Sequence, residues 1–236
     1  VIAGAAQLFA TAHVTADTRS SAKQDQAALA QLAAAYQPIA RAASGADRTR
    51  QACADAAAVQ TAASSTPKRA PAKAAIDDSV WDDMATRVKL ELEDLVEVCK
   101  APDHKLQMGT KTLTADGVAA SVDDHIRALL DAARSRDLPP AMKKFQTTMT
   151  AMRPAGKQLC AQHRTLTRLL PQFATPPDQV DAARWQQAHA SLTESLDELK
   201  QFGCAANRHA FEEIAGSMHS VHDGYYKLVL LLPARS

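Results

Sequence analysis

Trp81, Ala85, Val88, Leu92, Leu95 and Cys99 recur at alternating steps of four and three residues. That spacing places all six on one face of an α-helix, forming an apolar stripe that other helices must cover. Three further stretches have the spacing to do so. Met142, Phe145, Met149, Met152, Gly156, Leu159, His163, Leu166 and Leu170 form one, and Trp185, Ala188, Leu192, Leu196, Leu199 and Phe202 form the next. Phe211, Ile214, Met218, Val221, Tyr225, Leu228 and Leu232 complete the set. The pattern predicts an all-α fold: an elongated antiparallel helical bundle, stabilised by disulfides.

Composition agrees with helix. Only 8 glycines occur in 236 residues, aromatic residues make up 4%, and no long stretch alternates apolar and polar residues as a half-buried strand does. The predicted organisation is N-terminal helical segments over residues 1–63, an exposed linker over 64–75 and a main bundle over 76–236. The linker, SSTPKRAPAKAA, combines small residues, two prolines and three basic side chains. Pro38 is expected to bend or end the first helix, and Pro154 to kink or break the one that starts at Pro139–Pro140. Asp77 or Asp78 can cap the helix that runs to Cys99, and residues 101–116 read as a long connection. No fixed-period repeat of the solenoid kind is present.

Twenty-seven Lys and Arg against 26 Asp and Glu give a net charge of +1, which supplies no field for nucleic acid. The charge is unevenly placed. Residues 76–97 carry eight carboxylates, and Arg127, Arg134, Arg136, Lys143 and Lys144 follow, an arrangement suited to pairing across bundle rims. No apolar run is long enough to span a bilayer. The chain is therefore expected to be soluble or a soluble ectodomain, with any membrane attachment outside the given sequence. Its first ten residues read as a signal remnant, a first helix or a stretch following a membrane span, and YYKLVLLLP as part of a packed helix.

Cys53, Cys99, Cys160 and Cys204 are too widely spaced for a zinc or thioredoxin-like site. They point instead to two structural disulfides and a secreted, periplasmic or cell-surface location. In a single up-and-down bundle with a rise of about 1.5 Å per residue, Cys99 falls level with Cys160, and Cys53 with Cys204. Those are the pairings the bundle predicts.

No catalytic signature stands above the packing pattern. There is no HExxH, paired ExxH, CxxCH, G-x-S-x-G, Walker A loop or Rossmann fingerprint, and Asp77/Asp78 and Asp82/Asp83 suit a helix start. His209 with Glu212 or Glu213 resembles a fragment of the hemerythrin pattern without its remaining ligands; His219, His222 and Asp223 form a second local group. His163 falls on a core stripe and His189 lies near Trp185, where a buried imidazole bonded to a backbone carbonyl is the simplest expectation. His125 follows Asp123 and Asp124, which can tune it. Met142, Met149 and Met152 are core fillers or an adaptable groove. Consecutive Tyr225 and Tyr226 point about 100° apart, so one of them is expected to be exposed.

The design resembles elongated helical surface receptors and periplasmic immunity or sensor domains, with no motif that selects among them. The functional expectation is a non-enzymatic binding domain for a protein partner, with no cofactor or metal; a small-molecule sensor ectodomain is the alternative, followed by a helical metal or haem protein. Lys68, Arg69, His104, Lys105, Tyr225 and Tyr226 are the expected contact residues.

Overall fold

A computed structural model describes residues 3–154, 158–204 and 211–235, with side chains from residue 22 onward. The chain is mostly helical, and it divides into two compact units, residues 1–133 and 134–236. The first holds α1 (Ala3–Arg41), α2 (Ala46–Ser64), α3 (Asp78–Lys100) and α4 (Ala115–Ala132), with a hairpin of β1 (Lys105–Met108) and β2 (Lys111–Thr114) between α3 and α4. The second holds α5 (Pro140–Thr150), α6 (Leu159–Leu169), α7 (Ala182–Cys204) and α8 (Phe211–Leu231).

In the first unit each helix packs on the next, and α4 closes back onto α1 and α2; in the second, α8 packs on α7 and closes onto α5. The boundary follows α4, so residues 64–75 connect α2 to α3 inside the first unit. Those residues are not a free tether, because Thr66 and Ala75 are buried and the Ala75 N–H donates to the Ala132 carbonyl at 2.9 Å. Pro38 lies within the last turn of α1, which continues to Arg41. The helix that starts at Pro140 ends at Thr150, ahead of Pro154, and the next begins at Leu159.

Both units repeat one plan, which a search for a fixed period does not find. Each third helix is 23 residues long. Each opens with an aspartate that caps it: Asp77 accepts from Val80 N at 3.2 Å, and Asp181 from Arg184 N at 2.9 Å. Four residues after each aspartate stands a fully buried tryptophan, Trp81 or Trp185. Buried Val88, Leu92 and Leu95 follow Trp81 at the same steps as Leu192, Leu196 and Leu199 follow Trp185. Ala52, Ala56, Val59 and Ala63 flank Cys53 in the register that Leu159, His163, Leu166 and Leu170 keep around Cys160, and all eight are buried.

The repeat governs the disulfides. Cys53 bonds Cys99 and Cys160 bonds Cys204, with Cα atoms 5.1 and 5.5 Å apart. Each bridge ties the second helix of a unit to the end of the third. The pairings expected from a single bundle, Cys99 with Cys160 and Cys53 with Cys204, are therefore wrong: the height estimate assumed one continuous stack where each unit closes on itself. Residue size differs between the repeats. Ala52 and Ala56 are replaced by Leu159 and His163, and Gly203 gives room for this, since a Cβ there would lie 2.9 Å from Leu159 Cδ2. Gly224 likewise lets α8 approach the backbone of α7 at Leu192.

Each tryptophan also fastens the connection that leads into its helix. Trp81 Nε1–H donates to the Pro67 carbonyl at 2.8 Å and Trp185 Nε1–H to the Phe173 carbonyl at 3.1 Å. Burying an indole is worth about 4–6 kcal/mol by area, and the hydrogen bond selects its orientation. Trp81→Phe and Trp185→Phe each leave a carbonyl without its donor. Each is expected to cost about 1–3 kcal/mol in urea unfolding followed by circular dichroism, with losses of similar size. A loss at one position only would show that the indole clamp is not shared.

Candidate functional site

The hairpin occupies a stretch expected to be a plain connection. A Gly109–Thr110 turn, with Gly109 at φ 61°, joins strands paired Lys105 with Thr114, Leu106 with Leu113, Gln107 with Thr112 and Met108 with Lys111. Glycine supplies the positive φ that two-residue hairpin turns demand. Thr112 Oγ1 donates to Gln107 Oε1 at 2.6 Å, a cross-strand bond on one face. Leu106 and Leu113 are half-buried on the other face, whereas Met108 at the tip is 52% exposed, and Lys105 and Lys111 are exposed.

Both ends of the hairpin are fixed. On exit, the Thr114 hydroxyl caps α4 by accepting from Gly117 N at 3.1 Å. On entry, Asp103 and His104 take left-handed φ values of 55° and 52°, a conformation costing about 1–2 kcal/mol per non-glycine residue. His104 Nδ1–H donates to the Cys99 carbonyl at 3.1 Å, and the same nitrogen lies 3.8 Å from Cys53 Sγ. The Cys53–Cys99 bridge and its histidine thus hold the turn that launches the hairpin.

Beside β2 lies a cleft of about 240 Å³, lined by Glu91 and Asp94 of α3, Val118 and Ser121 of α4, and the β2 residues Thr112–Thr114. Glu91 accepts from Ser121 Oγ at 3.0 Å and from His125 Nδ1 at 2.8 Å. His125 is thus partnered by Glu91 across the helix pair, not by Asp123 or Asp124; Asp123 pairs with Arg127 at 2.8 Å. The serine hydroxyl bonds a carboxylate, so this set lacks the serine–histidine contact of a nucleophilic centre. Asp94, half-buried on the same wall, adds a second carboxylate. The cleft suits a cationic side chain.

Of the expected contact residues, Lys68, Arg69, His104 and Lys105 are exposed. Tyr225 and Tyr226 are not: they are 0% and 1% exposed. Tyr225 stacks on Phe145 with ring centroids 5.1 Å apart and donates to the Met142 carbonyl at 2.9 Å. Tyr226 packs edge-on against Tyr225 and accepts from Gln146 Nε2 at 3.3 Å. The expectation that one faces solvent fails because α8 is covered by both α5 and α7, so its buried arc is wider than the angle between neighbouring residues. Met142, Met149 and Met152 are buried as well, in keeping with core filling and not with the alternative of an adaptable groove.

His163 is buried and donates Nε2–H to the Leu196 carbonyl at 2.9 Å; His189 donates to the Leu170 carbonyl at 3.2 Å. His209 lies outside the described residues. His222 tilts against the Tyr226 ring. Among the described residues, no group of three or more His, Cys, Asp or Glu side chains could hold a metal, and no helix is long and apolar enough to cross a membrane.

Asp116, in the first turn of α4, secures the far side of this region. It accepts from Arg48 Nε at 2.6 Å and from Gly45 N at 2.9 Å. The Arg48 guanidinium, followed by the Gly45 N–H, holds its carboxyl below the usual carboxylate range. A lowered native value contributes stability above the unfolded carboxylate range, and that contribution disappears as the pH falls through the native value. Asp116→Asn is expected to cost about 0.5–1 kcal/mol at pH 7. The difference from wild type should close as urea titrations move from pH 5 towards pH 2, and a loss independent of pH would assign the effect to packing.

Comparison with known proteins returns no match: no protein-family model, no curated protein and no solved structure is similar to this chain.

Proposed function

We propose that this chain is a non-enzymatic binding protein of an extracytoplasmic compartment, secreted, periplasmic or at the cell surface. It recognises a protein partner through the β1–β2 hairpin and the acidic cleft beside it. The compartment is supported by the disulfides, since all four cysteines are paired and such bridges persist where the surroundings are oxidising. The packing of consecutive helices on one another within each unit supports a helical bundle in each.

The observation that carries the binding role is the hairpin itself. A two-stranded hairpin is marginal on its own, and the outer half of this one buries almost nothing. It is nevertheless held at its base by a disulfide, a capping threonine and two left-handed residues. An exposed methionine beside its cross-strand partner Lys111 offers an adaptable apolar contact next to a cation. The matching partner presents an apolar pocket edged with carboxylates, and a basic side chain for the Glu91–Asp94 wall.

The test is co-purification from the native extracytoplasmic fraction, followed by affinity measurement with the partner isolated. Met108→Asp and Asp94→Lys are each expected to weaken binding by about tenfold or more. Leu90→Asp, at an exposed position of α3, is the control and should bind like wild type. A partner that binds all three variants with wild-type affinity would place the interface elsewhere and sink the hairpin reading.

A further inference from the structure

The two disulfides stand in different electrostatic settings. Cys53 is in the interior of α2, and Cys99 is in the last turn of α3, beside the Glu97–Lys100 pair. The negative end of a helix dipole disfavours a thiolate at Cys99. Cys160, by contrast, is the second residue of α6, at the positive end of a helix, where a thiolate is stabilised. Its partner Cys204 is the last residue of α7, at the opposite pole.

The Cys160–Cys204 bridge also lines a groove of about 560 Å³ between α6 and α7, together with His163, Arg164, Asp197 and Lys200. The spacing accounts for the gathering. Arg164 lies one turn beyond Cys160 and Lys200 one turn before Cys204, so both cations share the faces that carry the sulfurs. Neither cation has an ion-pair partner among the described residues, and two positive charges stand against the single carboxylate of Asp197. Such a groove attracts anions to the disulfide, and the species that opens a disulfide is an anion, the thiolate.

We propose that Cys160–Cys204 is a thiol-exchange site whose groove admits a small thiol bearing carboxylates, while Cys53–Cys99 is purely structural. The incoming thiolate attacks Cys204 Sγ, a new sulfur–sulfur bond forms there, and the Cys160–Cys204 bond breaks with its electron pair leaving on Cys160. Cys160 is the better leaving group because its thiolate sits at the helix amino terminus with Arg164 and Lys200 nearby. A second thiolate attacks the small-molecule sulfur of the mixed disulfide and releases Cys204. Two external thiols are thereby oxidised to one disulfide, the protein bridge is reduced to two thiols, and the protons of the external thiols pass to the two cysteines. The inference is independent of the hairpin's role.

The experiment treats the native chain with graded glutathione, quenches by acid and alkylation, and maps each bridge by peptide mass spectrometry. Cys160–Cys204 is expected to open at least about tenfold faster than Cys53–Cys99. Repeating it with cationic cysteamine reads the charge of the groove. In the double variant Arg164→Glu, Lys200→Glu, both at exposed positions, the ratio of glutathione to cysteamine rates at Cys160–Cys204 is expected to fall about tenfold or more. The proposal is overturned if Cys53–Cys99 opens first or at the same rate, or if the rate ratio is unchanged in the double variant.

Discussion

A buried indole hydrogen-bonded to the carbonyl of the preceding connection anchors the third helix of each unit. Trp81 and Trp185 fix where the chain turns back and in what register the long helix starts, because the Nε1–H bond admits one orientation of a side chain that fills much of the core. At about 1.5 Å per residue, the helix then runs roughly 27 Å before a disulfide fastens its far end to the second helix. Held at both ends, it acts as a ruler for the unit, and the fourth helix packs along it beside the second. Both candidate sites lie where that ruler stops. The hairpin begins just after Cys99, and the cationic groove surrounds Cys204.

The two ends diverge because the repeats differ in the size of a few residues. Small Ala52 and Ala56 beside Cys53 contrast with Leu159 and His163 beside Cys160. Leu159 is accommodated by Gly203, and the imidazole of His163 spends its Nε2–H on a helix carbonyl. The first unit instead follows its third helix with a turn of two left-handed residues and a hairpin. A shared frame thus carries different furniture at equivalent positions, as expected when packing constrains the stripes but leaves helix ends free.

The stripes were legible in the sequence: from Trp81 to Leu95 every predicted position is buried, because periodicity reports directly on burial. What periodicity cannot report is which stripes meet. The offset between the repeats is 107 residues at Cys53 and Cys160, 104 at the tryptophans and 105 at Cys99 and Cys204, so connections of unequal length hide the repeat from any fixed period. The hairpin escaped because four-residue strands carry too little alternation, and its Gly–Thr turn is a weaker signal than Asn–Gly. His125 found Glu91, 34 residues away, a distance over which sequence offers no rule. Lys105 and His104 are exposed, whereas Tyr226 is buried, since coverage of α8 from two sides is a property of the assembled unit.

Chain entropy would not have decided the disulfides either. Bridges separated by 46 and 44 residues each restrict the unfolded chain by about 4 kcal/mol, and the crossed pairings would have gained only about 1 kcal/mol more at most per bridge, because the dependence on loop length is logarithmic. Side-chain geometry chose instead, through two units whose cores each bring their own cysteines within bonding distance. The local choice has a consequence for chemistry at the groove. Opening Cys160–Cys204 releases a constraint on the second unit alone, while Cys53–Cys99 still holds the turn into the hairpin. The exchange proposed for the second unit and the recognition proposed for the first therefore share no covalent strut.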